Sequence, residues 1–169
     1  MTKIYIYLIL FSSFLFSDNL YLYKLYNNEY EAVFPSKPQK KISRGGLTYY
    51  LSKDTQKGIT FVANRNYFPK GLTYQSIKKL GKKYLDDSFK GMINDTMSNV
   101  LEYESKTFPN YYIATFKAEM ITRDIVRYGV LINRGNYIYF WDIHSSNPDY
   151  DNYAREIRNG YKNYFLIKD

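Results

Sequence analysis

VRYGVLINRGNYIYFWDI, from Val126 to Ile143, is the stretch that decides the fold. Val126, Tyr128, Val130 and Ile132 recur at every second position, the period of a strand that buries one face. Asn133-Arg134-Gly135-Asn136 follows, and because glycine and asparagine tolerate positive φ the chain turns tightly there. Tyr137 to Ile143 then loses the alternation and is apolar on both faces. Such a strand is covered above and below, so it lies in the interior of a sheet with a layer on each side.

The neighbouring segments extend that sheet. Val100 to Phe108 reads as a strand closed by Pro109-Asn110, and Tyr112, Ala114, Phe116, Ala118 and Met120 form an apolar face opposite Ile113, Thr115, Lys117 and Glu119. The second half of the chain is therefore an antiparallel meander of four strands. It ends in an amphipathic helix: Asn147 caps it, Pro148 suits its first position, and Asp149 and Asp151 favour the positive end of its dipole. Tyr150, Tyr153, Ala154, Ile157, Tyr161 and Phe165 share one side of that helix.

The first half carries the same period. Residues 20–34 read as one or two short strands, stopped by Pro35-Ser36-Lys37-Pro38, since each proline removes a donor and bars helical geometry before it. A basic stretch with Lys37, Lys40, Lys41 and Arg44 leads to the turn Gly45-Gly46. Leu47, Tyr49 and Leu51, then Ile59, Phe61 and Ala63, predict an antiparallel hairpin with those residues inward. From 74 to 94 the period becomes helical: Ile77, Leu80, Tyr84, Leu85, Met92 and Ile93 share a face, Thr73 or Ser76 caps the start, and Gly81 marks close packing against the sheet. The element order is β-β-β-β-α-β-β-β-β-α. It predicts an α+β fold, an antiparallel sheet of about six to eight strands with one helix on each face, in one domain spanning 18–169.

Residues 1–17 have another design. Met1-Thr2-Lys3 is basic, Ile4 to Phe16 is apolar or aromatic except Ser12 and Ser13, and Ser17-Asp18-Asn19 ends the run. That layout predicts a cleaved signal peptide, and 13 residues fall short of the roughly 17–25 a spanning helix needs. Leu15 at the −3 position departs from the usual small residue, so a retained anchor or an ordinary strand are the alternatives.

Composition excludes several chemistries. With no cysteine there is no disulfide, thiolate nucleophile, Cys-held zinc or acylated anchor, and the single His144 rules out a site with two imidazoles. Formal charge is +8, or +7 without Lys3, which draws the chain towards anionic surfaces. Arginine is scarce beside lysine, which argues against specific nucleic-acid reading. The 21 tyrosines favour sheet and could stack sugars or bases, although A/T-rich codons enrich the same residue type.

Three constellations carry possible chemistry. Asp142, His144 and Ser145-Ser146 contain the residues of a hydrolytic triad, but members of a triad come from separate elements, so a strand-end cluster serving the nearby helix cap is the simpler account. Asp86-Asp87 and Asp149-x-Asp151 read as solvated helix charges rather than acid–base pairs, and neither they nor the isolated glycine turns Lys57-Gly58 and Lys70-Gly71 match a metal or phosphate loop. No catalytic residue, metal ligand or cofactor is expected. Lys78, Lys79, Lys82 and Lys83, with Lys90, form the candidate polyanion-binding surface, whose bland alternative is a soluble helix face.

The segment Phe34-Pro35-Ser36-Lys37-Pro38 at the end of an early strand, followed by hairpin, helix, meander and terminal helix, resembles the PsbP/Mog1-like superfamily of small exported proteins, with Ser36 where glycine is common. The resemblance spans most of 20–166 in element order. It implies an α/β/α sandwich and a mostly non-enzymatic accessory or binding role; no functional residue carries over, because members bind unrelated partners. The expectation is an exported non-enzymatic accessory or binding protein whose partner is a protein or envelope component. The alternatives are a peripheral binder of anionic envelope polymer or lipid, and an unrecognised carboxylate-dependent hydrolase.

Overall fold

The computed structural model describes residues 20–68 and 72–161. The proposed signal peptide, the Lys70-Gly71 turn and Phe165 lie outside the described residues.

Seven strands form one antiparallel sheet: β3 (Gln39–Ile42), β4 (Thr48–Asp54), β5 (Ile59–Tyr67), β9 (Tyr137–Ser145), β8 (Val126–Arg134), β7 (Tyr111–Met120) and β6 (Ser98–Thr107), in that spatial order. The strand that is apolar on both sides, β9, is the middle one, joined to β8 through Gly135 at φ +55°. Its odd residues Tyr139, Trp141 and Ile143 enter one core; Ile138 and Phe140 enter the other.

The first core is covered by the terminal helix α3 (Asp151–Tyr161) and by a separate hairpin of β1 (Tyr21–Leu25) and β2 (Tyr30–Phe34). Side chains bolt the hairpin to the sheet: Trp141 Nε1 donates to the Val33 carbonyl at 3.1 Å, and the Tyr30 hydroxyl donates to the Phe140 carbonyl at 3.0 Å. The other core lies under α1 (Tyr74–Lys78) and α2 (Lys82–Asn94), against Tyr112, Ala114, Phe116 and Ala118 of β7. The sandwich is thus a helix plus a hairpin on one face and a broken helix on the other.

Three local expectations change. The helix expected over 74–94 breaks at Gly81, which caps α2 with φ +90° and has open space where a Cβ would sit. The glycine is there for its backbone freedom and not for close packing. The break redirects the two pieces, so Ile77, Leu85, Phe89 and Ile93 are buried while Leu80 and Tyr84 are 58% and 49% exposed. The basic stretch contains strand β3, fully exposed, formed because Gln39 to Ile42 pair with Leu51 to Thr48. Finally, β4 turns Tyr50 and Ser52 towards the hairpin and leaves Leu47, Tyr49 and Leu51 only half-buried, because the apolar cluster under α1 and α2 draws on β7, β8 and β9.

Candidate functional site

At one end of the sheet the β4–β5 ladder opens. Its last pair is Tyr49 with Asn64, and where Thr48 would meet Arg65 the hydroxyl of Tyr26 stands between the strands. The Arg65 N–H donates to that hydroxyl at 3.0 Å, and the hydroxyl donates to the Thr48 carbonyl at 2.7 Å. One side chain thus replaces a backbone bond and wedges the strands apart. To deliver it, the β1–β2 turn holds Tyr26, Asn27 and Asn28 in succession at φ +50°, +60° and +70°. Asparagine tolerates this region, whereas for tyrosine it costs about 1–2 kcal/mol, and such strain persists where surrounding contacts over-determine it.

Those contacts converge on Arg65. Its guanidinium pairs with Glu29 and lies 4.6 Å from the Tyr26 ring centre and 4.5 Å from that of Tyr137. The Tyr26 ring meets Tyr50 edge-on at 5.2 Å, and Tyr67 packs on Tyr137 at 4.9 Å. Burial pushes the Tyr26 hydroxyl up to about 12, so it keeps its proton, and its donor role, at neutral pH. Around this wedge lies a cleft of about 740 Å³, lined also by Lys40, Asn66 and the Gly45–Thr48 loop. Replacing Tyr26 with phenylalanine leaves the Thr48 carbonyl and the Arg65 N–H without their partner; we expect a loss of about 1–3 kcal/mol in urea unfolding. An unchanged midpoint would remove the wedge.

The residues singled out by sequence fall elsewhere. Asp86 is saturated: Lys82 Nζ donates to it at 2.7 Å, Ser105 at 2.7 Å and the Tyr112 hydroxyl at 2.6 Å. Burial pushes the Asp86 carboxyl up, but those hydrogen bonds outweigh it and hold it below its ordinary value. Lys82 also reaches Ser105 Oγ at 2.5 Å, the contact of a serine–lysine dyad. Ser105 Oγ accepts from that amine and donates its own proton to Asp86, so the serine proton points at the carboxylate and not at the lysine. Lys78 donates to the Pro109 carbonyl at 3.1 Å, while Lys79 and Lys83 are exposed. The four lysines therefore straddle the Gly81 break, and two of them are engaged inward.

Asp142 is buried and paired with the Arg127 guanidinium, with His144 Nε2 at 3.6 Å. Burial pushes its carboxyl up, and the Arg127 charge and the His144 contact overcome that to lower it. The two serines face away: Ser145 Oγ donates to the Asn147 carbonyl at 2.9 Å, and Ser146 Oγ to the Gly58 carbonyl at 2.9 Å. Asn147 in turn accepts from the Asp149 N–H and caps the short 3₁₀ turn that leads into α3. Among the described residues no three His, Asp or Glu side chains gather where a metal could bind, and no helix is long and apolar enough to cross a membrane.

The arrangement of a central antiparallel sheet, a flanking hairpin and helices on both faces has a solved counterpart. The solution structure of cyanobacterial PsbP (CyanoP) from Synechocystis sp. PCC 6803 matches with a TM-score of 0.63, over 88% of this chain and 92% of that one, at 12% identity. The fold is PsbP-like. At that identity the likeness is one of fold, and no residue role travels with it. No protein-family model and no curated protein matches the chain. Within the PsbP-like frame the Tyr26–Arg65 cleft is therefore known only from its own geometry. Sequence reasoning passed over it, although one signal was present: Arg65 occupies the face of β5 that Ile59, Phe61 and Ala63 make apolar. A cation on a core-facing row needs a partner.

Proposed function

We propose that the chain is an exported, non-catalytic accessory protein that works by binding a partner in the cleft around Tyr26 and Arg65. The observation that carries this reading is the wedge: a tyrosine in a costly backbone conformation holds two strands apart and so keeps a cleft open. Absence of catalysis is supported by the fate of the acids, since Asp142 is tied to Arg127 and Asp86 to three donors. Neither is free to exchange a proton near pH 7. The PsbP-like fold, and the basic–apolar–polar layout of residues 1–19, support an accessory role outside the cytoplasm.

Tagged protein isolated from fractionated cells tests all parts together. We expect a chain that begins near Asp18 in the extracytoplasmic fraction, and a partner that co-purifies with the native protein and is lost with Tyr67→Ala combined with Lys40→Ala. An intact Met1 in the cytoplasm removes export, and a partner retained by the double variant removes the cleft. The exposed amines of Lys79 and Lys83 support a second reading, an anionic polymer or lipid surface. It requires retention on heparin that falls steeply with salt and a slope flattened by Lys79→Gln with Lys83→Gln.

A further inference from the structure

If the cleft is the binding site, its chemistry selects a class of ligand. Arg65 is not a free receptor for anions, because Glu29 holds its guanidinium and the rings of Tyr26, Tyr137 and, at 5.8 Å, Tyr67 flank it. Among the described residues Lys40 is then the remaining cation of the wall, too little for a phosphate backbone, which is bound by rows of cations. A cationic ligand is excluded for the converse reason: the rings and the carboxylate that would cage it already cage Arg65.

What stays open is a ring face bordered by uncharged polar groups. Tyr67 is 67% exposed and steadied against Tyr137. On the same cleft wall Asn27 contributes a side-chain amide, and the Gly45 to Thr48 loop contributes backbone groups. A pyranose ring matches this pairing: its C–H face lies on an aromatic ring, while its hydroxyls both donate to and accept from amides and carboxylates. We infer that the cleft binds a short neutral saccharide stacked on Tyr67. The volume of about 740 Å³ lies inside the range of small-ligand pockets, about 300–1,000 Å³.

The test is titration of isotope-labelled protein with cellotetraose, chitotetraose, maltotetraose and xylotetraose to about 10 mM, well above a Kd of about 1 mM. A heparin tetrasaccharide and AMP serve as anionic and stacking controls. We expect at least one neutral tetraose to shift the amides of residues 26–29, 45–48 and 65–67. Its affinity should drop roughly tenfold in Tyr67→Ala and survive in Tyr67→Trp, as a stacking contact requires. The inference is overturned if no neutral tetraose shifts those amides, if either control binds tighter than all four, or if Tyr67→Ala leaves affinity unchanged. Should saccharides fail while the cleft variants still lose the co-purified partner, this assignment falls alone. Should the variants also keep the partner, the cleft reading falls with it.

Discussion

Gly129→Ala lowers stability by about 3 kcal/mol, the upper end of what overpacking a core costs. The position lies on β8 opposite Asp142 of β9, and an added Cβ would stand 2.2 Å from Cζ of Phe116 and 2.6 Å from Oδ1 of Asp142. Neither neighbour has room to yield. The Phe116 ring is fully buried with the Arg127 guanidinium 5.5 Å from its centre, and Asp142 is held by that same arginine. Chemical denaturation measures the loss, and Phe116→Leu in the Gly129→Ala background should recover part of it by vacating the ring edge. A single variant as stable as the native chain would show that the ring moves freely.

Arg127→Met costs more, about 3–5 kcal/mol, because it strands a buried carboxylate. Arg127 is itself buried, donates to Ser98 Oγ at 3.0 Å and bonds Thr96 as well as Asp142. It therefore ties the turn after α2 to the centre of the sheet. Changing both members, Arg127→Met with Asp142→Leu, should recover most of the loss, as a matched apolar pair leaves no charge behind. The pH dependence supplies a second check. In the native chain the folded Asp142 carboxyl sits below its ordinary 3.8, so its stabilising effect is present above that value and fades as the pH falls through the lowered one. In Arg127→Met, burial is left without the arginine and raises the carboxyl, despite the neighbouring His144, so stability should rise on acidification. Parallel acid limbs for the two proteins would contradict the pairing.

Pattern carried most of the architecture. The period-2 rows of β7 and β8 and the two-sided apolarity of Tyr137 to Ile143 identified the meander and its central strand, because burial on one face or both is written in every second residue. Caps were equally local: Thr73 accepts from the Ser76 N–H, and Asn147 from that of Asp149, within three residues of themselves. Gly81 was visible as a weak point but not as a break, since a glycine inside a helix and a glycine between two helices differ only in φ. Strand β3 was invisible because Gln39, Lys40 and Lys41 carry no apolar rhythm; it exists because β4 offers it hydrogen bonds.

The sequence by itself determined the class of fold, the middle strand, the caps at Thr73 and Asn147 and the chemistries that lack of cysteine forbids. Only tertiary structure decided that Arg127 meets Asp142, that Asp86 gathers Ser105 and Tyr112, and that Tyr26 reaches Arg65, 39 residues away, to pry open a cleft. The division has a physical reason. Periodicity records how each residue divides itself between water and core, a property of position along one element. A polar pairing joins two elements and depends on register, so neither partner carries its mark alone.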